Sequence, residues 1–228
     1  RWCGVPMTRD NAGDRMVPLP PSGRVFTAGH RVRVGDCDPA GQWRFDGLAR
    51  AVQDLAGDDS ADAGVASPGW VVRRTVVHTH EPARFGEELE LSTWCGGLGR
   101  RWAERRVRVA GARGAEIDVA MLWVHVDPSS GRPAPLTDEF RAAFGEAAGG
   151  REVTARLRHD GADDEPTGGR RPWPLRAVDL DVWGHVNNAA SWAAVNSDGV
   201  AAKATSSPRA YARAPMSEAA RAGPAPVW

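Results

Sequence analysis

Two nine-residue stretches carry the residue types for attack on a carbonyl: Arg33-Val-Gly-Asp36-Cys-Asp38-Pro-Ala-Gly41 and Arg176-Ala-Val-Asp179-Leu-Asp181-Val-Trp-Gly184. Both read R-x-x-D-x-D-x-x-G, and each matched residue of the second stands 143 positions after its partner. A carboxylate just ahead of a helix can act as general base or nucleophile, its pKa tuned by burial. The start of that helix offers N–H groups and positive dipole character to an oxyanion. A glycine there lets the backbone come close to an acyl group. Asp38 with Gly41 and Asp181 with Gly184 each supply both parts.

The elements that must position these residues are also repeated. Each copy follows a strand-like segment and precedes a helix-like one, which marks a duplicated piece of supersecondary structure. Arg24–Val34 is strand-like, with Arg31 and Arg33 alternating against Val32 and Val34. From Phe45 to Ala56, apolar residues recur at i, i+3, i+4, i+7, i+10 and i+11, one face of a helix. Gly47 weakens that helix by roughly 1 kcal/mol relative to Ala, and Gly57-Asp-Asp-Ser is its expected end. Strands are expected over 70–81, 88–95, 100–110 and 115–126, separated by glycine-bearing turns. The last is apolar on both faces and should lie inside the sheet. A short helix is expected over 138–144.

One long helix followed by four antiparallel strands packs economically when the sheet wraps the helix and buries its stripe. The chain then divides into an N-terminal segment 1–23 without pattern, a first unit 24–150, a linker 151–169, the start of a second unit 170–195 and a patternless tail 196–228. The ends read as disorder, with Met7 or Met16 as an alternative start. The second helix is expected to begin near Gly184 or His185. From Gln42 to Phe144 the first unit spends 102 residues on helix and sheet, whereas 43 follow His185 and do not look like strands. The second copy is therefore expected to be incomplete, through a frame-shift or truncation near Asn196 or through degeneration of a homologue.

These residues resemble a family. The helix-in-sheet unit is similar to a hotdog fold, an α+β architecture in which an antiparallel sheet wraps a long helix. Gly35-Asp-Cys-Asp-Pro-Ala-Gly41 resembles the motif of 4-hydroxybenzoyl-CoA-type hotdog thioesterases. Asp179-Leu-Asp-Val-Trp-Gly-His-Val-Asn-Asn188 resembles the second hotdog of the acyl-ACP thioesterases. Trp70-Val-Val-Arg-Arg74, Ser92-Thr-Trp94, Arg101-Trp-Ala-Glu-Arg-Arg106, and Leu122-Trp-Val with Gly131-Arg-Pro resemble the same branch. The resemblance spans about residues 24–195 and implies a tandem hotdog protein that hydrolyses a fatty acyl thioester on acyl carrier protein, with no metal or redox cofactor. It matches Asp181 and His185 to the family's catalytic Asp and His, with Gly184, Asn187 and Asn188 beside the substrate. The family's Asn two residues before the His is Trp183 here. Its further strand Glu or Cys has no match, since Glu218 stands in Ser-Glu-Ala-Ala. The alternatives are an acyl-CoA thioesterase using Asp38 with Gly41, and a non-catalytic acyl-thioester-binding protein.

Ordinary roles stand beside these. Asp36 and Asp179 are read as ties of the turn, and an Asp before a helix is a good N-cap on general grounds, which applies to Asp38 and Asp181 as well. His78, His80 and His125 are read as packing or surface residues, and no cluster has metal-ligand spacing. Cys37 lies between two acids, which disfavours its thiolate. The basic run Arg100, Arg101, Arg105, Arg106 and Arg108 is either a solvated strand face or a docking patch for an acidic carrier or a coenzyme A phosphate. Formal net charge is +0, so nothing global favours nucleic acid or an anionic membrane. No apolar run reaches the roughly 20 residues that span a bilayer. Three widely spaced cysteines without a CxxC pair fit a reduced cytoplasm. An exposed, unwrapped second helix would favour a homo-oligomer.

Overall fold

The structure is a computed structural model, and it describes residues 17–65, 69–155, 174–182 and 184–197. Most of the N-terminal segment, most of the linker, Trp183 and the tail from 198 lie outside the described residues.

Five strands form one antiparallel sheet: β1 (Val25–Arg31), β2 (Trp70–Glu81), β3 (Glu88–Leu98), β4 (Trp102–Gly111) and β5 (Glu116–His125), in the order β1-β3-β4-β5-β2. The doubly apolar β5 lies between β4 and β2, as a strand with two buried faces must. Across one face runs α1 (Phe45–Asp62). Its stripe of Leu48, Ala51, Val52 and Leu55 packs into one core with Val72, Leu89, Leu91, Val107, Val109, Ile117, Val119 and Met121. Leu48, Val52 and Leu55 are all but fully buried, each stabilising the helix–sheet contact by about 1.5–3 kcal/mol. This is the expected α+β hotdog unit. A short helix, α2 (Asp138–Phe144), closes one end of the sheet and is capped by Thr137 Oγ1, which accepts from the Phe140 amide at 3.2 Å.

Two expectations about α1 change. The helix runs past Gly57 to Asp62, because Asp59 is buried and accepts from Arg24 Nε at 2.6 Å and from Arg105 Nη1 at 2.5 Å. A polar run that reads as a stop is thus an ion-paired end of the helix. Gly47 has a packing reason: a Cβ there would lie 2.8 Å from Trp43 Nε1 and 2.9 Å from Asp36 Cβ. The loop ahead of α1 folds back onto the helix at a position without a side chain.

The basic run on β4 is neither a solvated face nor a docking patch at its centre. Arg105 pairs with Asp59 inside the core. Arg106, 1% exposed, donates through Nε to Glu104 Oε1 at 2.9 Å, and Arg151 and Arg74 converge on the same buried carboxylate. His125 is buried and bonds the Pro135 carbonyl at 2.8 Å, and His80 pairs with Asp118 at 3.2 Å. Among the described residues, no group of three His, Cys, Asp or Glu could hold a metal ion, and no helix is long and apolar enough to cross a membrane.

After residue 173 the described chain contributes a short 3-10 turn (Ala177–Asp179) and α3 (Asn188–Ser197), with no strand. α3 packs against α1. The helix starts at Asn188 rather than near Gly184 or His185, because His185 and Asn187 are spent on closing the turn onto Asp181 and Asp179.

Candidate functional site

The two motifs fold into the same turn, bond for bond. In the first, the Asp36 amide donates to the Arg33 carbonyl at 3.0 Å and the Gly41 amide to the Asp38 carbonyl at 2.9 Å. The Asp38 amide donates to the Gln42 carbonyl at 2.9 Å, and the Gln42 amide returns a bond to Asp38 Oδ1 at 2.8 Å. In the second, Asp179 donates to Arg176 at 3.0 Å, Gly184 to Asp181 at 3.0 Å and Asp181 to His185 at 2.8 Å. The His185 amide donates to Asp181 Oδ1 at 2.9 Å. The Cys37–Trp43 bridge recurs as Leu180–Val186, and the bond from the Arg44 amide to the Asp36 carbonyl recurs from Asn187 to Asp179, at 2.8 Å in both. Gly41 and Gly184 sit at φ +76° and +77°, a left-handed conformation that glycine adopts without penalty.

Asp38 and Asp181 therefore cap their own turns rather than the helices that follow. Each is half-buried, with one carboxylate oxygen fixed by a backbone amide four residues on. The turn ties Asp181 to the backbone of His185, whose side chain stands at the surface. Asn187 is the cap of α3: its Oδ1 accepts from the Ala189 amide at 2.8 Å. That spends its oxygen on the helix start. Asn188, the first residue of α3, lines a cleft between the helices.

The copies differ in what covers the turn. The cap position of α1 is Arg44, which makes no side-chain cap. Its guanidinium instead laces the first turn shut, donating to the carbonyls of Cys37 at 2.6 Å and Gly35 at 2.8 Å and to Asp46 Oδ1 at 2.9 Å. Arg50 adds bonds of 3.0 Å to both Asp36 and Asp46. Burial pushes the Asp46 carboxyl up, but Arg44 and Arg50 outweigh it and hold it below the usual range. Burial, with Asp36 and Asp38 beside it, pushes the Cys37 thiol up, so it stays protonated. In the second turn Arg176 folds back on Asp179, at 2.9 Å, and holds that carboxyl low.

A narrow apolar cleft lies between α1, α3 and the sheet. Phe45, Leu48 and Val52 form one wall, Val77, Val119 and Met121 another, and Asn188 and Trp192 the third. The rings of Phe45 and Trp192 lie 5.7 Å apart. Of the cleft residues on α3, Asn188 is among the sequence candidates and Trp192 is not, although the spacing of 143 that relates the motifs also relates Ala49 to Trp192.

Residues 23–144 match the family model described as the acyl-ACP thioesterase N-terminal domain. The chain belongs to the acyl-ACP thioesterase family, and with it to the thioester hydrolases. It is 34% identical over 183 residues to two uncharacterized proteins of Mycobacterium tuberculosis, covering 79% of this chain and 72% of theirs. A putative oleoyl thioesterase from Lactobacillus plantarum superposes with TM-score 0.66 at 20% identity, over 77% of this chain and 70% of that one. An acyl-ACP thioesterase from Bacteroides thetaiotaomicron does so with TM-score 0.61 at 15% identity, over 76% and 72%. The 12:0-ACP thioesterase from Umbellularia californica gives 0.57 at 21%, over 77% and 76%. At these identities the three structures share the fold with this acyl-ACP thioesterase family member.

Proposed function

We propose that the chain hydrolyses a fatty acyl thioester held on acyl carrier protein, and that Asp181 is the base. A water attacks the thioester carbonyl, and Asp181 takes its proton. The resulting oxyanion lies at the positive end of α3. The carbon–sulfur bond then breaks, giving the fatty acid and a carrier thiolate that takes up the proton. His185, across the turn, serves the leaving sulfur. Gly184 supplies the positive φ that closes the turn, and Asn187 holds the helix start in place. The reading places the protein in fatty acid synthesis in the cytoplasm.

The observation that carries this reading is the contrast between two otherwise equal turns. The Asp181 turn has a histidine where the first has Gln42, and Asn187 and Ala193 stand where Arg44 and Arg50 lace the first turn against α1. The equal geometry at Asp38 supports a second reading, an acyl-CoA thioesterase centred on the first turn. Purified chain assayed with acyl-ACP and acyl-CoA, beside His185→Ala, tests the choice. Turnover of acyl-ACP that falls in His185→Ala is expected. Turnover of acyl-CoA that is indifferent to His185 would transfer the function to Asp38, and binding without turnover would make the chain an acyl-thioester binder.

A further inference from the structure

A second hollow lies at the other end of the sheet, between the turn that joins β3 to β4 and the chain that leaves α2. Its volume is about 500 Å³, within the roughly 300–1,000 Å³ usual for small-molecule sites. Arg100, Arg141 and Arg151 line it, against one carboxylate, Glu152. Among the described residues, neither Arg100 nor Arg141 pairs with a carboxylate, and Arg151 shares Glu104 with Arg106 and Arg74. Bonds across the rim hold the walls in place. Arg141 Nη2 reaches from α2 to the carbonyls of Gly99 at 3.1 Å and Arg100 at 3.4 Å. The Leu98 amide donates to the Arg151 carbonyl at 3.0 Å, and Trp102 Nε1 donates to the Val153 carbonyl at 2.7 Å. Leu98, Trp102 and Val153 thus give the hollow a fixed side that carries apolar surface.

We propose that this hollow binds a small organic phosphate, the phosphate on Arg100 and Arg141 and the organic group against Leu98, Trp102 and Val153. Guanidinium forks match phosphate oxygens bidentately, which makes arginine the side chain of choice for such an anion. Arg141 is already pinned by two carbonyls, so little of its freedom is left to lose on binding. A bare phosphate ion would leave most of the space and the whole apolar side unused. The hollow is also remote from both turns. Ala148 on its wall packs with Val65, just past the end of α1, whereas Phe45 opens that helix directly after the first turn. The 18 residues of α1 span about 27 Å. A phosphate bound here and a thioester at the Asp181 turn can therefore occupy the protein together. The inference holds whether or not Asp181 is the base.

Isothermal titration of the full chain with phenyl phosphate, inorganic phosphate, phenylacetate and phenol tests this near neutral pH. One phenyl phosphate per chain is expected to bind, at least about tenfold tighter than inorganic phosphate, with no measurable binding of phenol. Arg100→Ala is expected to weaken phenyl phosphate at least about tenfold, the worth of one hydrogen bond to a charged group. Arg141→Gln should do the same. Arg100 is exposed, so its variant decides the matter if Arg141→Gln does not fold. Arg31→Ala removes an equal charge at the far end of β3, where Arg31 pairs with Glu88, and should leave the affinity within about twofold. An affinity unchanged in Arg100→Ala, or one lost equally in Arg31→Ala, overturns the proposal. Inorganic phosphate binding as tightly as its phenyl ester would make the ligand a free ion, and phenylacetate doing so would make it a carboxylate; either result refutes an organic phosphate. So does a titration with phenyl phosphate that does not saturate in the millimolar range.

Discussion

Glu104 is the most consequential charge in the sheet, and its removal has a calculable cost. The carboxylate and Arg106 are each 1% exposed, and Oε1 lies 2.8 Å from Arg106 Nη2 and 2.9 Å from Nε. Arg151 bonds the same oxygen, while Arg74 Nη2 lies 3.8 Å from Oε2. Burial already pulls the Arg106 guanidinium below its usual pKa, against the support of Glu104. Glu104→Gln keeps the shape but leaves three guanidiniums around a neutral amide, one of them fully buried. Breaking a buried pair from one side costs about 3–5 kcal/mol, a large share of a total stability of about 5–15 kcal/mol. For a chain of this length, that is a fall in Tm of roughly 10 °C. Thermal unfolding followed by circular dichroism reads it directly. Glu104→Leu combined with Arg106→Met should recover much of the loss, since an apolar replacement of the pair leaves less buried charge unmatched. A Glu104→Gln protein within about 1 kcal/mol of wild type would refute the account of this cluster.

Three further predictions concern the scaffold and the turns. Glu87 is buried and accepts from the amides of Arg84 at 3.1 Å, Arg113 at 2.9 Å and Ala115 at 3.3 Å, tying the β2–β3 connection to the β4–β5 turn. Burial opposes its charge, but these bonds hold its carboxyl below the usual range. Its stabilisation is therefore present above the unfolded pKa and lost as pH falls through the folded one; Glu87→Ala should cost about 3–5 kcal/mol at pH 7, and a urea melt that shows under 1 kcal/mol would contradict this. Burial raises the Cys95 thiol to about 11, so it should resist a thiol reagent at pH 8 in folded protein and react fully once unfolded; rapid native labelling, tracked to Cys95 by peptide mapping, would be the wrong outcome. Gly184→Ala forces φ +77° on a residue with a Cβ, and should lower stability by about 1–2 kcal/mol in chemical denaturation; an unaltered midpoint would show that the turn does not need that conformation.

Much of the fold is legible in the sequence because its periods are clean. The stripe from Phe45 to Leu55 specifies a helix, and alternation with glycine turns specifies the strands. The edges expected at 70–81 and 138–144 are those observed. What was hidden depends on partners distant in sequence. Asp59 reads as a helix stop until Arg24 and Arg105 are seen beside it. Arg105 and Arg106 read as surface charge until Asp59 and Glu104 are seen beneath them. The start of α3 was legible in principle: Phe45, moved by the repeat spacing, falls on Asn188. The candidate site residues stand out as types and spacings, but the sequence does not reveal that Asp38 and Asp181 cap their own turns, or that Arg44 laces the first of them.

The central claim is that Asp181 carries the hydrolysis and its structural twin Asp38 does not. Single-turnover release of fatty acid from acyl-ACP, measured for Asp181→Asn and Asp38→Asn side by side, tests it most directly. The rate should fall by about 100- to 10,000-fold in Asp181→Asn, the usual contribution of a general base, and stay within about threefold in Asp38→Asn. Full activity in Asp181→Asn, or its loss in a folded Asp38→Asn alone, would contradict the account.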